Sequence, residues 1–256
     1  MNEIQAAWLA VVQGLTEFLP VSSSGHLVIL QGLMDVPRQG VAFEVVVHLG
    51  TLLAVLAVYG RDLLGIVAGA LRRDAASLRL LALLALASVP AGLAGVLLGD
   101  AIKGLFETPI LASIMLLLTG GLLFATRWSG AGRRKLSPLG SLVVGLSQAL
   151  ALLPGISRSG STISTGLFLG MEREQAARFS FLLSVPAIAG AGLLEARDLS
   201  GADIGGHLIV GFVVAAVTGY TALRLLLRFV RRGNLHLFSW YCWAAGSAGI
   251  IAFTMR

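Results

Sequence analysis

Long apolar stretches alternate with short polar segments along most of the chain. Six of these stretches carry about the 20 residues that a helix needs to cross a bilayer: 41–59, 80–98, 108–126, 176–194, 204–227 and 235–254. Two more apolar stretches, 4–33 and 136–170, are each interrupted by a cluster of proline, serine and glycine. The pattern predicts an all-α polytopic membrane protein with six transmembrane helices and two helical hairpins.

The two interrupted stretches break at similar sequences, "LPVSSSG" at 19–25 and "LPGISRSG" at 153–160. Proline and serine end the first half of each stretch, and a serine can cap the helix that follows. Irregular backbone survives at membrane depth only where it is buried in protein or lines a water-filled cavity. We therefore expect two re-entrant hairpins that line a site. Pairs of ordinary kinked or tilted helices are the alternative.

The similarity of the two breaks extends along the chain. Gln13 and Gln148 lie 135 residues apart, while Phe43 and Phe179, and the tripeptide RDL at 61–63 and 197–199, lie 136 apart. The spacing predicts a single membrane domain, 1–256, built from two repeat halves of about 1–128 and 129–256. Each half would hold one hairpin and three spans, and an odd number of spans makes the repeats inverted.

Composition and charge support a membrane protein and indicate its orientation. Charged residues make up 12% of the chain and mean hydropathy is +0.87, whereas soluble domains carry about 25% charged residues. The net charge of +6 lies mainly in the short loops 61–79, 127–135 and 224–232, as the positive-inside rule predicts, and does not indicate nucleic-acid binding. Both termini are then expected outside, with the two hairpins entering from opposite sides and meeting near the midplane.

The second hairpin carries an arginine in "PGISRSGST" at 154–162. Arg158 costs about 2.5 kcal/mol or more at the membrane centre, and no acidic residue lies between 136 and 170. Its partner must be a ligand anion or Glu17 of the first hairpin. Arg158, nearby hydroxyls and the N-terminus of a helix form a phosphate cradle. A purely structural pair with Glu17 is the alternative.

The first hairpin carries groups of the opposite kind. Gln13 and Glu17 are spaced i, i+4 on one helix face, and their oxygens suit magnesium or calcium. His26 follows Ser23 by three residues, which could place an imidazole against a hydroxyl and activate it; a satisfied core histidine is the alternative. Together the hairpins predict phosphoryl transfer from a diphosphate. The buried site favours a polyisoprenyl diphosphate that enters from the bilayer.

Two motifs, "QGLTEFLPVSSSGH" at 13–26 and "PGISRSGST" at 154–162, resemble those of the bacterial undecaprenyl-diphosphate phosphatases of the bacitracin-resistance type. The resemblance covers essentially the whole chain. It implies hydrolysis of undecaprenyl diphosphate to undecaprenyl phosphate and inorganic phosphate, which recycles the lipid carrier for peptidoglycan synthesis and confers bacitracin resistance. It also implies a divalent cation, the bacterial inner membrane and an active site open to the periplasm. Bacitracin would compete for the substrate and not bind the protein.

The resemblance also implies roles for individual residues. Glu17, with Gln13, would bind the metal, although Gln13 makes any scheme that needs two carboxylates doubtful. Ser23 is the expected nucleophile with Ser22 as second choice, and His26 is the expected base or leaving-group acid. Water or His26 itself could attack instead. The phosphate would be bound by four residues: Arg158, Ser157, Ser159 and Thr162.

Other functions and contacts stay open in the sequence. Inverted repeats with broken helices are also typical of transporters, so a secondary transporter or flippase of a polyisoprenyl phosphate lipid is the alternative function. Small-residue runs such as 187–192 permit a homodimer. Glu44 and His48 share a helix face. Either they make polar contacts to the site, or Glu44 lies near the membrane surface and His48 bonds to a carbonyl. A solvated helix start is expected around Glu174 and Arg178.

Overall fold

A computed structural model of the chain describes residues 2–34, 41–130, 132–195 and 205–255. These residues form ten α-helices and no strand. In chain order the helices are α1 (Glu3–Phe18), α2 (Ser23–Met34), α3 (Val41–Leu71), α4 (Ala75–Leu105), α5 (Pro109–Ala125), α6 (Pro138–Leu150), α7 (Arg158–Phe168), α8 (Arg173–Glu195), α9 (Gly206–Arg231) and α10 (Phe238–Thr254). The all-α class is confirmed.

Six helices, α3, α4, α5, α8, α9 and α10, are long and apolar enough to cross a membrane, which confirms the six predicted spans. Helices α3 and α4 are longer than predicted, with 31 residues each. At about 1.5 Å per residue each measures roughly 47 Å, against roughly 30 Å of hydrocarbon. The predicted span 41–59 ended before Arg61, and the predicted span 80–98 began after Arg79. Both helices continue past these residues, because long arginine side chains can lie along a helix and reach the interface.

The two interrupted stretches form helix–turn–helix pairs. The longest of their four helices, α1, has 16 residues and spans about 24 Å, too short to cross the hydrocarbon. Helix α1 begins at a capping box in which Asn2 and Gln5 exchange hydrogen bonds. The chain breaks between α1 and α2, and again between α6 and α7, where the sequence predicts. The geometry is compatible with re-entrant hairpins, which stay a prediction together with the inverted topology.

Helices of the two predicted halves pack against each other in matching pairs. Helix α1 packs on α9 and α6 packs on α4, while α3 packs on α9 and α8 on α4. Helices α3 and α8, and α5 and α10, pair directly across the halves. Such an exchange is what an internal duplication predicts, although the division at 128 stays a prediction. The second RDL tripeptide, 197–199, and the start of the predicted fifth span at 204 lie outside the described residues.

One surface prediction is wrong. Arg178, expected at a solvated helix start, donates two hydrogen bonds of 2.6 Å from Nε and Nη2 to Asp62 of α3. Both side chains are 31% exposed, so this ion pair is half-buried between α3 and α8. Glu174 does lie at the surface, where it pairs with Arg231 at 2.7 Å. Asp62 is distant in sequence, and no local pattern reports such a contact.

Glycines allow the hairpin helices to approach their partners closely. A Cβ on Gly14 of α1 would lie 2.8 Å from the carbonyl oxygen of Ala215 and 2.9 Å from the amide nitrogen of Gly219, both in α9. A Cβ on Gly145 of α6 would lie 2.9 Å from Cα of Ala87 in α4. Close approach through small residues is how membrane helices gain packing contacts without a hydrophobic driving force.

We predict that Gly14→Ala destabilises the protein by about 1–3 kcal/mol, because the new methyl group meets backbone atoms that cannot move aside. Gly92→Ala is the matched control, since no atom lies within 4 Å of a Cβ built at that helical position. The control is expected to be neutral or stabilising by up to about 1 kcal/mol. Reversible unfolding in mixed detergent micelles measures both, and equal stability of the two variants would contradict the packing.

Candidate active site

The turns of the two hairpins meet inside the bundle. A Cβ on Gly25 would lie 2.8 Å from Cα of Gly155, so the turns touch through glycine. Gly155 has φ +95, a left-handed conformation that favours glycine. The Ser22 hydroxyl donates to the carbonyl of Ile156 at 3.4 Å. From the other turn, the Ser159 hydroxyl donates to the carbonyl of Leu19 at 3.4 Å. The two turns meet as predicted, whereas their depth in the membrane stays a prediction.

Equivalent serines cap the helices that follow the two turns. The amide of Gly25 donates to Ser22 Oγ at 3.2 Å, and the amide of Gly160 donates to Ser157 Oγ at 3.1 Å. The capping serines are 135 residues apart, the spacing that also separates Gln13 from Gln148. Ser22 has φ 65, which costs a residue other than glycine of order 1 kcal/mol and is typical of functional turns.

The repeated caps place Ser23 and Arg158 at equivalent first positions of α2 and α7, and both side chains reach Glu17. Glu17 Oε1 accepts a hydrogen bond from Arg158 Nη2 at 2.9 Å. Its Oε2 accepts from Gln13 Nε2 at 3.0 Å and from Ser23 Oγ at 2.7 Å, with His48 Nε2 at 3.7 Å. The Glu17 side chain is 7% exposed. Glu17 is therefore the partner that the second hairpin lacks.

Two buried polar atoms beside this pair have no hydrogen-bond partner among the described residues. They are Nη1 of Arg158 and Oε1 of Gln13. An unpaired buried polar group costs about 1–3 kcal/mol, and such groups are rare in native structures. A guanidinium nitrogen donates to an anion, and an amide oxygen can ligate a hard cation. The two unpaired atoms therefore indicate a site that can bind an anion at Arg158 Nη1 and a cation at Gln13 Oε1.

No hydrogen bond joins His26 and Ser23, so the predicted hydroxyl–imidazole pair is not formed. Nδ1 lies 2.8 Å from the carbonyl oxygen of Ser22, which can only accept, so Nδ1 carries the proton. In the neutral ring Nε2 then accepts from the hydroxyl of Tyr241 at 2.8 Å. The two rings are nearly parallel, 7° apart, with centroids 5.5 Å apart. The spacing argument failed because each side chain has a stronger partner elsewhere, Ser23 on Glu17 and His26 on Tyr241.

The other hydroxyls expected at the phosphate bond to protein groups. Ser157 and Ser159 lie 3.3 Å apart through their Oγ atoms, and both are buried. Thr162 donates to the carbonyl of Arg158 at 2.8 Å and lies 2.6 Å from the hydroxyl of Ser180 in α8. These contacts order the first turn of α7 below the guanidinium. Phosphate binding by Ser157, Ser159 and Thr162 stays a prediction.

Helices α5 and α10 hold the two turns in place through residues that the sequence did not single out for the site. Thr119 of α5 donates to the carbonyl of Gly155 at 2.8 Å and accepts from the Ser157 amide at 3.2 Å. Cys242 of α10 is buried and lies 3.8 Å from the Pro20 carbonyl, next to Tyr241. Thr119, Tyr241 and Cys242 do not belong to either motif, so the sequence carried no signal for their place at the site.

His48 both bonds to a carbonyl and faces the site, which the sequence analysis treated as alternatives. Its Nδ1 lies 2.7 Å from the carbonyl of Glu44, one turn back in α3. Its Nε2 faces Glu17. The i, i+4 spacing of Glu44 and His48 thus identified a site residue, His48, whose ring is held by the Glu44 carbonyl.

Two hairpins join a carboxylate, a guanidinium and a hydroxyl inside a bundle of six apolar helices. The class is a polytopic membrane protein with an internal candidate site for an anionic ligand. The family model described as bacitracin resistance protein BacA matches residues 6–248, and the chain belongs to this family.

Similar proteins have nearly the same length as the chain. It is 47% identical to an undecaprenyl-diphosphatase of Thermomicrobium roseum over 96% of both chains. It is 42% identical to one of Moorella thermoacetica over 100% of both, and 37% identical to one of Methanosphaera stadtmanae over 98% of both.

We predict that Arg158→Met destabilises the protein by about 3 kcal/mol, because it leaves the Glu17 carboxylate buried without its cation. The double variant Glu17→Gln, Arg158→Met is expected to be more stable than Arg158→Met alone, since no unpaired charge remains. Unfolding in mixed micelles measures both. Destabilisations that simply add would contradict a direct, buried ion pair.

Proposed function

We infer that the protein hydrolyses undecaprenyl diphosphate to undecaprenyl phosphate and inorganic phosphate. The observation that carries this inference is the unpaired Nη1 of Arg158, buried beside the Glu17–Ser23 hydrogen bond. The names of the relatives point to the same reaction. The product would return the lipid carrier to peptidoglycan synthesis, and resistance to bacitracin would follow, because the antibiotic competes for the substrate.

Arg158 is arranged to bind the diphosphate. Its Nη2 is held by Glu17, which orients the guanidinium plane and leaves Nη1 to donate to a phosphate oxygen. Arg158 is also the first residue of α7, so the positive end of the helix lies at the same place. The Glu17 charge balances the arginine before substrate arrives, and a diphosphate restores a negative partner to Nη1.

Ser23 is the proposed nucleophile because its hydroxyl already donates to a carboxylate, at 2.7 Å from Glu17 Oε2. Attack of Ser23 Oγ on the terminal phosphorus would form a phosphoserine and break the bond to the bridging oxygen, which leaves with undecaprenyl phosphate. The serine proton would pass to Glu17 or to Nε2 of His26, and water would then hydrolyse the phosphoserine. His26 can take part only after Tyr241 releases Nε2. Direct attack by water, with Ser22 and Ser23 as phosphate ligands, is the alternative route.

The residues fit a divalent cation that is bound jointly with substrate. Oε1 of Gln13 is a buried acceptor without a partner, and the Glu17 carboxylate lies beside it. No group of three or more His, Cys, Asp or Glu that could hold a metal occurs in the described part of the chain. Few protein oxygens, completed by phosphate oxygens and water, suit magnesium better than calcium. The bound cation would offset the charge of the diphosphate.

The membrane orientation is proposed from the basic loops. The chain is a multi-pass membrane protein that acts on a lipid, and its arginine-rich ends of α3, α4 and α9 are placed in the cytoplasm by the positive-inside rule. Periplasmic termini follow from that placement, while the inner membrane and an active site open to the periplasm are proposed from the family resemblance. A homodimer and the lipid-transport alternative stay predictions, and no contact of the described residues favours transport.

The test is release of inorganic phosphate from a C15 isoprenyl diphosphate by the purified protein in detergent, with and without a chelator. We expect cation-dependent release that falls by about 100-fold or more in Arg158→Ala and Glu17→Ala, since they remove charge stabilisation of the reacting phosphate. Ser23→Ala is expected to lose about as much. The matched controls are Thr221→Ala, which removes an exposed helix hydroxyl, and Arg232→Ala at the surface.

The controls should retain activity within about threefold, the normal scatter of neutral surface changes. Release by wild type that a chelator leaves unchanged would overturn the cation. No release under any cation, by folded protein that still binds the lipid diphosphate, would overturn the enzyme and leave the transporter.

The contact between His26 and Tyr241 generates a separate prediction. Tyr241→Phe removes the hydroxyl and keeps the ring that lies parallel to His26. We expect this variant to retain activity within about threefold, whereas His26→Ala loses about 100-fold or more, as expected for a general acid or base. Initial rates of phosphate release measure both. An equal loss in the two variants would show that the Tyr241 hydroxyl, and not Nε2 alone, serves the reaction.

A further inference from the structure

A cavity lies between helices at the arginine-rich end of the bundle. It has a volume of about 580 Å³ and opens between α3, α4, α8 and the segment that leads into α6. None of its lining residues belongs to the Glu17–Arg158 site. Its walls carry five basic side chains: Arg79, Arg133, Arg134, Lys135 and Arg178. A single acid, Glu172, lines the cavity with them.

The basic segment at the cavity mouth is held by hydrogen bonds at two points. We call Arg133, Arg134 and Lys135 the basic rim. The backbone amide of Arg134 donates to the carbonyl of Gly170 at 2.9 Å. Arg79 Nη2 donates to the carbonyl of Leu136 at 2.8 Å, and Gly170 takes the left-handed φ +82 that its turn requires. The basic rim is therefore fixed on the cavity before any ligand arrives.

The cavity keeps a net positive charge after its own acids are counted. Asp62 neutralises Arg178, and Glu172 offsets one further charge. The basic rim side chains make no ion pair with the described residues. Asp74 caps the nearby start of α4, where hydrogen bonds from the hydroxyl and amide of Ser77 lower the pKa of its carboxyl. That carboxylate is already engaged at the helix N-terminus and does not pair with the basic rim.

Apart from Ser77 and Gln175, the remaining walls are apolar, and most of their residues belong to membrane-spanning helices. They are formed by Ile66 of α3, Leu80 and Leu83 of α4, and Phe179 and Leu182 of α8. A soluble anion would leave this apolar surface uncovered, whereas the first carbons of an acyl chain would cover it. Basic pockets between membrane helices at the positive end are suited to anionic lipid head groups.

We propose that this cavity binds the phosphate head group of an anionic membrane lipid. The basic rim holds the phosphate at the mouth, and the start of the acyl chain lies against α4 and α8. Helices α3 and α8 line the cavity, and they also contact the hairpin helices α1 and α7. The bound lipid would therefore also stabilise the fold.

The experiment measures binding of phosphatidylglycerol to the full-length protein in detergent by native mass spectrometry, with phosphatidylcholine as the zwitterionic reference. The variant Arg133→Gln, Arg134→Gln, Lys135→Gln removes the basic rim. Its matched control, Arg224→Gln, Arg228→Gln, Arg232→Gln, removes the same charge from the same end of the bundle, outside the cavity. Neither set belongs to the catalytic machinery, so phosphate release from a C15 isoprenyl diphosphate reports folding in each variant.

We expect the basic-rim variant to bind phosphatidylglycerol at least about tenfold more weakly, since each basic residue near a lipid phosphate contributes about 1 kcal/mol. The control should change the dissociation constant by less than about twofold. Ala76→Trp, which fills the cavity from its exposed wall without changing charge, should also weaken binding. Equal losses in the basic-rim variant and its control, or full binding by Ala76→Trp, would overturn the proposal. Displacement of phosphatidylglycerol by an equal concentration of glycerol phosphate would show instead that the cavity takes a soluble phosphate.

Discussion

The ion pair between Glu17 and Arg158 is the contact on which the site depends. A charged side chain inside a membrane protein needs a partner, and neither hairpin contains one for its own charged residue. The two turns must therefore meet. Their meeting in turn requires Gly25 and Gly155 at the closest approach and glycines such as Gly14 where the hairpins pack on the spanning helices. Once paired, the two charges leave Nη1 of Arg158 for a ligand.

The duplication explains how two different groups reach one carboxylate. Ser22 and Ser157 each accept a hydrogen bond from the amide three residues on, although Ser22 is left-handed and Ser157 is extended. The residue that follows each cap reaches Glu17. One half supplies Ser23 there and the other supplies Arg158. Two helices that start at matching serine caps but carry unequal side chains thus place a hydroxyl and a guanidinium on the two oxygens of Glu17. The first half thus supplies the candidate nucleophile, and the second half supplies the group that would bind the anion.

Much of the fold could be predicted from the sequence, because membrane spans and helix breaks follow from the pattern of apolar, proline and serine residues along the chain. The six spans, the two breaks and the need for Arg158 to find an acid all follow from apolar length and missing charges. Side-chain partners within the turns do not. Ser22 takes a left-handed conformation, and His26 is held by Tyr241 from α10, so a spacing of three residues between Ser23 and His26 predicted a contact that is not formed. Arg178 and Asp62 pair across 116 residues, which no local pattern reports.

The central claim is that the Arg158 guanidinium, oriented by Glu17, binds the diphosphate. Equilibrium binding of a non-hydrolysable methylene diphosphonate of a short isoprenyl lipid, to wild type and to Arg158→Ala, tests it most directly. The account predicts that Arg158→Ala weakens binding by about 100-fold, since a buried charge-assisted contact is worth roughly 2–5 kcal/mol. Equal affinity of folded wild type and Arg158→Ala would contradict it.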